Sequence, residues 1–307
     1  MVPLGASAQP RSGASHRSAQ RRRGLLLVAG AATVWSSGGA IARLLDTPEW
    51  TTVFWRSLFA GTFLLGYIAL REKGRVVAPF RAMGLAGIVV GCAMAAASTL
   101  FILALQRTSV AHILILLAAT PLFAALAAYL VLGETVGRSG WLAMLAALCG
   151  IALMVADGAR RGELVGDLIA FGIPLSFSLA FVATRHRPAV RMTPAGVVAT
   201  LISGCIALIL ADSLAASPGD MGLLALFGAG QFACGMILFT AGARLVPAAD
   251  AALVGLLETI LGPLWVWLAF GENPGLLALA GGAIVLAAMA TQSLLGLRRD
   301  AMLPPGP

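Results

Sequence analysis

Ten runs of apolar residues, each about long enough to cross a ~30 Å hydrocarbon layer as a helix, dominate this sequence. They lie at 24–45, 50–70, 82–105, 109–132, 139–156, 164–184, 195–212, 221–243, 248–270 and 275–296. Segments 139–156 and 195–212 are the shortest. Ten such helices leave too little polar surface for water to solvate. The charge content agrees: 11% of the 307 residues are charged and 59% are hydrophobic, whereas a soluble domain carries about 25% charged residues. A water-soluble enzyme and a disordered chain are both excluded. The expected fold class is an all-α membrane protein of ten transmembrane helices joined by short loops.

The formal charge of +8 does not point to nucleic acid. The bases sit in short clusters between apolar runs and form no continuous face. Their placement instead gives an orientation. With the N-terminus in the cytoplasm, sixteen lysines and arginines fall on that side. Only Arg107, Arg160 and Arg161 fall on the other, and Arg43 and Arg56 belong to spans. The even number of spans returns the C-terminus to the cytoplasm. Residues 1–23 are rich in Arg and Ser and lack acids. That composition suits either an organelle transit peptide or a disordered basic tail anchoring that end in the cytoplasm, and the tail is the expectation. Residues 297–307 form a second cytoplasmic tail.

Residues 83–134 align with 221–272 at a constant offset of 138. Met83-Gly84-Leu85 matches Met221-Gly222-Leu223, Leu100-Phe101 matches Leu238-Phe239, and Gly133-Glu134 matches Gly271-Glu272. The repeat divides the chain into five-helix modules at 24–156 and 164–296. Because five is odd, the modules enter the membrane from opposite sides. Glu134 then faces the cytoplasm and Glu272 the outside. Inverted repeats of this kind build carriers, with the substrate near the midplane between the halves.

The ordered motifs resemble the EamA-type group of the drug/metabolite transporter superfamily. They are Trp35-Ser36 in the first span, Phe54-Trp55-Arg56 in the second, Pro121 and Gly133-Glu134 in the fourth, and Leu257-Glu258 with Gly271-Glu272 in the ninth. The resemblance covers about 24–296. Two positions depart from the family pattern: Trp35-Ser36 stands where Trp-Gly is common, and Glu258-Thr259 where Glu-Pro is common, with a proline displaced to Pro263. Membership implies gradient-linked or facilitated movement of small metabolites such as amino acids across the plasma membrane.

Ionisable residues inside spans are costly and therefore functional candidates. Glu258, flanked by Leu256, Leu257, Ile260 and Leu261, is the leading proton or substrate-amine site. The alternative is a structural pair with an arginine. Arg56 would neutralise a substrate carboxylate, or pair with Glu258 when the site is empty. Arg43, nearer its helix end, is expected to reach up to the interface. His112 and Asp250 occupy matching repeat positions. His112 would relay a proton or line an interface. Gln231 is a cavity candidate in the eighth span. Trp35, Ser36 and Ser37 line either a cavity or a close helix contact. Pro121 and Pro263 are candidate helix breaks.

Gly87-x-x-x-Gly91 reads as a packing motif. Gly228-x-Gly230 lacks the third glycine and the strand of a dinucleotide turn. Cys92, Cys149, Cys205 and Cys234 form no ligand or disulfide pattern. No phosphate loop, metal cluster or nucleophile motif is present, so no cofactor, metal or enzymatic activity is expected. The expected partners are a small-molecule substrate and the lipid bilayer. A homodimer is compatible with the chain, and nucleic acid is not expected. The competing readings are a membrane scaffold or sensor and a passive channel.

Overall fold

In the computed structural model, residues 12–133, 137–185, 192–246 and 248–302 are described. All regular structure among them is helical. Among the described residues nine stretches are long and apolar enough to cross a membrane, and a tenth apolar stretch, Leu276–Gln292, lies within the last helix. Span one comprises α1 (Ser12–Ser36) and α2 (Gly38–Arg43), and span two is α3 (Glu49–Arg71). Span three is α4 (Val77–Leu105), and span four comprises α5 (Val110–Ala118) and α6 (Thr120–Leu132). Spans five to seven are α7 (Arg138–Arg161), α8 (Leu164–Arg185) and α9 (Thr193–Leu210). Span eight joins α10 (Pro218–Ala225), a π-helical stretch (Leu226–Ala233) and α11 (Cys234–Gly242). Spans nine and ten are α12 (Ala248–Phe270) and α13 (Leu276–Met302). The face where α1 begins is called the near face below, and the opposite one the far face.

The core is filled by buried aliphatics such as Ile102, Ile113, Leu116, Met154, Ile173 and Val285. Leu145, Leu201, Ile209, Leu268 and Leu279 stay exposed on the outer surface of the bundle. In water such a belt would be a large unstable patch, whereas lipid solvates it without cost.

Packing partners survive exchange of each span for the one five positions later. Span three packs on span six as span eight packs on span one, and span four meets span six as span nine meets span one. Spans two and seven, four and nine, and five and ten pack on each other. Individual contacts obey the same exchange. A Cβ at Gly24 would fall 2.6 Å from Val246 and 2.8 Å from Leu245. At Gly166, its equivalent at an offset of 142, a Cβ would fall 2.5 Å from Arg107 and 2.7 Å from Thr108. Arg107 and Thr108 are the repeat equivalents of Leu245 and Val246. Gly30 likewise faces Leu238, and Gly172 faces the equivalent Leu100. The two halves are an inverted pair of five-helix modules. Gly133 and Gly271 end spans four and nine in the left-handed region, at φ 68° and 67°, where a side chain would clash with its own backbone.

Several expectations change here. Helix α1 begins at Ser12, so half of the stretch expected to be a disordered tail is helical. The hydrogen bond of Arg21 to Asp250 holds that extension to the bundle. At the other end α13 runs to Met302, into the expected second tail. Pro121 follows a real interruption, the turn at Ala119 between α5 and α6. The matching break at Pro263 is not formed, because α12 passes it without interruption. Gly91 packs against Val198 of α9, whereas the side-chain atoms nearest Gly87 belong to Met83 of its own helix. Glu134 lies outside the described residues.

Spans five and ten cross where Gly150 and Gly281 bring the two backbones together. A Cβ on Gly281 would fall 2.4 Å from the Gly150 carbonyl oxygen. Backbone cannot yield as a flexible side chain can. Gly281→Val is therefore expected to destabilise the protein by about 1–3 kcal/mol, read as a lower thermal midpoint in detergent, while Gly222→Ala, in open space, leaves it unchanged.

Candidate functional site

Span one is interrupted near mid-membrane. Ser36 and Ser37 return their hydroxyls to the carbonyls of Thr33 and Val34, each at 2.7 Å. Gly38-Gly39 follows. Hydroxyls that compete for backbone carbonyls, and two residues of poor helix propensity, favour a turn here. Such a turn frees carbonyls that hydrocarbon cannot hydrate. The Trp35 carbonyl finds its donor in Gln231, whose Nε2 lies 2.9 Å away. Gln231 belongs to the π stretch of span eight, and Gly38 leaves room for its amide. In return Trp35 Nε1 donates to the Phe232 carbonyl at 3.4 Å. Its ring lies over Gly235 and beside Phe239, centroids 5.4 Å apart.

The π stretch also builds the surroundings of Arg56. A π turn sets residues five apart on one side of the helix, and Phe227 and Phe232 are spaced so. The Arg56 guanidinium carbon lies 4.6 Å from one ring centroid and 4.7 Å from the other. Its Nη1 donates to Ser98 Oγ at 2.6 Å, and its Nε has no hydrogen-bond partner. The residue is 6% exposed. Helix α3 is brought close because Gly228 sits against the Arg56 carbonyl, where a Cβ would come to 2.4 Å. Aromatic faces stabilise a desolvated guanidinium by up to about 2 kcal/mol. They leave its net charge uncompensated.

Helix α12 closes the third side. Trp265 Nε1 donates to Ser36 Oγ at 3.0 Å. Gly262 lies against Leu114 and the Ser36 carbonyl. One turn before Gly262, Glu258 is half-buried. Gly255, on the same face of the helix, borders open space. Among the described residues Glu258 makes no hydrogen bond or ion pair, and Arg56 makes no ion pair with it. The expected Arg56–Glu258 pair is thus absent in this state of the protein.

The structure brings Trp35, Ser36, Gln231 and Arg56 into one connected cluster, with Glu258 one helical turn from its edge. His112 is elsewhere, at the far-face start of α5, bonded to Asp167 at 2.8 Å. Asp250 pairs with Arg21 at 2.9 Å. Arg43 does not simply reach the interface. It binds Glu272 at 2.9 Å and the carbonyls of Leu105 and Thr108 at 2.7 and 3.1 Å, tying spans one and nine to the loop after span three. On the same face Arg107 binds Glu49 at 2.9 Å. This hydrogen bond, rather than burial, raises the guanidinium's already high proton affinity.

Phe227, Phe232, Ser98, Trp265 and Asp167 were not singled out from sequence. A 3.6-residue period separates Phe227 from Phe232, and only the π turn aligns them. Asp167 stood at a helix start, where an acid needs no special reason.

Gln231→Leu keeps the side-chain bulk and deletes the donor to the Trp35 carbonyl. The expected loss is about 1 kcal/mol, seen as a lower thermal midpoint with a change in tryptophan emission as the Trp35 environment shifts.

No curated protein matches this sequence. One solved crystal structure, described only as that of a protein, superposes with a TM-score of 0.61 at 18% identity. The match covers 92% of this chain and 99% of the other, and identity that low speaks to fold alone. The EamA-like transporter family profile matches twice, over residues 22–156 and 164–293. Those two stretches coincide with the exchangeable five-helix modules and take in the Arg56–Trp35–Gln231 cluster between them, so this multi-pass membrane chain belongs to the EamA-like transporter family.

Proposed function

We propose that the protein is a secondary transporter of the plasma membrane, with both termini cytoplasmic. It moves small amphipathic metabolites such as amino acids by alternating access, and releases its substrate chemically unaltered. The observation that supports this most is Arg56. A guanidinium 6% exposed in the second span, flanked by two aromatic rings and bonded to one hydroxyl, is expensive to keep. No carboxylate pairs with it among the described residues. A substrate carboxylate arriving between Phe227 and Phe232 supplies the missing charge. Glu258, at the edge of the cluster and next to open space, takes the substrate amine. Trp35 and Gln231 form the wall between them. The inverted repeat favours the cycle because exchanging the roles of the halves converts an inward-facing arrangement into an outward-facing one of similar energy.

The test is counterflow of labelled amino acids in proteoliposomes. The unmodified protein is expected to equilibrate at least one of a panel spanning charged, polar and aromatic side chains. Arg56→Gln and Glu258→Gln are each expected to lower its initial rate at least about tenfold with a monodisperse folded protein. A panel with no flux, or full activity of Arg56→Gln, would overturn the reading.

A second measurement separates binding from folding. Removing a buried charge whose only hydrogen bond is to a hydroxyl relieves a desolvation cost. Arg56→Met is therefore expected to hold or raise the thermal midpoint while abolishing flux. A merely structural arginine would lower both.

A further inference from the structure

The two halves carry equivalent acid–base contacts at opposite faces, and the equivalents differ in chemistry. On the near face Arg21 of span one binds Asp250 of span nine, Nε to Oδ2, at 2.9 Å. The inverted repeat carries Arg21 to Glu163 and Asp250 to His112. These two meet on the far face, with His112 Nδ1 3.8 Å from Glu163 Oε2. The charges are exchanged between the spans, and the base has become an imidazole. One turn after Glu163, in α8, the far face adds Asp167, whose equivalent in span one is Leu25. Asp167 Oδ1 lies 2.8 Å from His112 Nδ1 and accepts from Thr108 Oγ1 at 2.6 Å. His112 and Asp167 are both fully buried. His112 Nε2 and Asp167 Oδ2 have no hydrogen-bond partner.

We propose that His112, with Asp167 and Glu163, is a proton-binding site that latches the far face, and that Arg21–Asp250 is its non-titrating counterpart on the near face. The assignment rests on reading the chain as an alternating-access carrier. The geometry explains the chemistry. Nδ1–H of the neutral imidazole points at Asp167, and the dyad then carries a net negative charge in a dry site. A proton taken at Nε2, the orphaned position, makes the imidazole cationic and the dyad neutral. The remaining charges near it are already committed. Arg107 is held by Glu49, Arg43 by Glu272, and Arg161 by Asp157. Only Glu163 remains, and it adds to the pull on the proton. A far-face cavity of about 210 Å³, lined in part by Thr108, Ser109, Glu163 and Glu272, stops short of the buried dyad. Thr108 Oγ1 donates to Asp167 Oδ1 and lies 3.3 Å from Glu163 Oε2.

The sign follows from where the carboxylates are solvated. With the far face closed, Asp167 is dry, and the protonated imidazole is the group that balances its charge. With it open, water does so instead. Acid therefore favours the closed far face, and loss of the proton favours opening by parting α5 from α8. The near-face contact, Arg21 to Asp250, holds no imidazole to take a proton.

Two measurements on the full-length protein in nanodiscs test this. The chain has three histidines, so the imidazole resonance of His112 is assigned by its loss in His112→Gln. It is expected to move on acidification. Amide exchange of Val110–Leu114, corrected for intrinsic rate, is expected to slow about tenfold on acidification from about pH 8 to about pH 5. His112→Gln flattens this profile, and so does Asp167→Asn, which serves if the first variant folds poorly. Arg21→Gln speeds exchange at the start of α12 without altering the far-face profile. A His112 resonance that does not move, or a wild-type slope retained in both variants, would overturn the assignment. Neither measurement needs flux. A protein that transports nothing yet keeps the His112-dependent profile would sink the transporter reading alone, and flux without the profile would sink only this one.

Discussion

Hydrocarbon offers no hydrogen bonds, so every backbone group released from a helix must find its partner inside the protein. The arrangement near mid-membrane follows from that. Span one breaks at Ser37, the Trp35 carbonyl is freed, and Gln231 answers it. Gln231 reaches it from an irregular stretch of span eight, which in turn presents two phenylalanines to Arg56. Two irregular backbones thus satisfy one another and, in doing so, create a polar seam between spans one and eight.

The second organising fact is the exchange of halves. It is visible in glycine contacts that repeat residue for residue, Gly24 on Leu245 and Val246, Gly166 on Arg107 and Thr108. Equivalent backbone positions meet equivalent positions, while the side chains at those places have diverged. Where the side chains differ, the faces differ: a fixed charge pair on the near side, an imidazole between two carboxylates on the far side. Symmetry of fold is thus joined to asymmetry of chemistry at the two faces.

Much of this could be read in advance. Span number and the inverted repeat followed from hydropathy and from one constant offset, because lipid enforces length and apolarity so strictly. Arg56, Glu258, Trp35, Ser36 and Gln231 stood out because polar atoms in a span need a reason. What could not be read were partners. Arg43 looked like an interfacial side chain, yet it is bound to Glu272 and two carbonyls, a meeting set by how spans one and nine cross. Pro263 promised a break that α12 does not make, since neighbouring helices can hold a proline in an unbroken span. The π stretch left no trace in a pattern of apolar residues uniform on every side.

That stretch has a consequence for how span eight can vary. A π turn is a regular helix with one residue too many. Wound regularly at the same length, the segment would carry Phe232 about 140° around the axis from Phe227, whereas loss of one residue between them would restore regular winding with the rings four apart and again on one side. The grip on the guanidinium is therefore written in the winding of the segment as much as in its letters. A segment one residue shorter and regularly wound would hold the same two rings on one side, while one of the same length without the π turn would not.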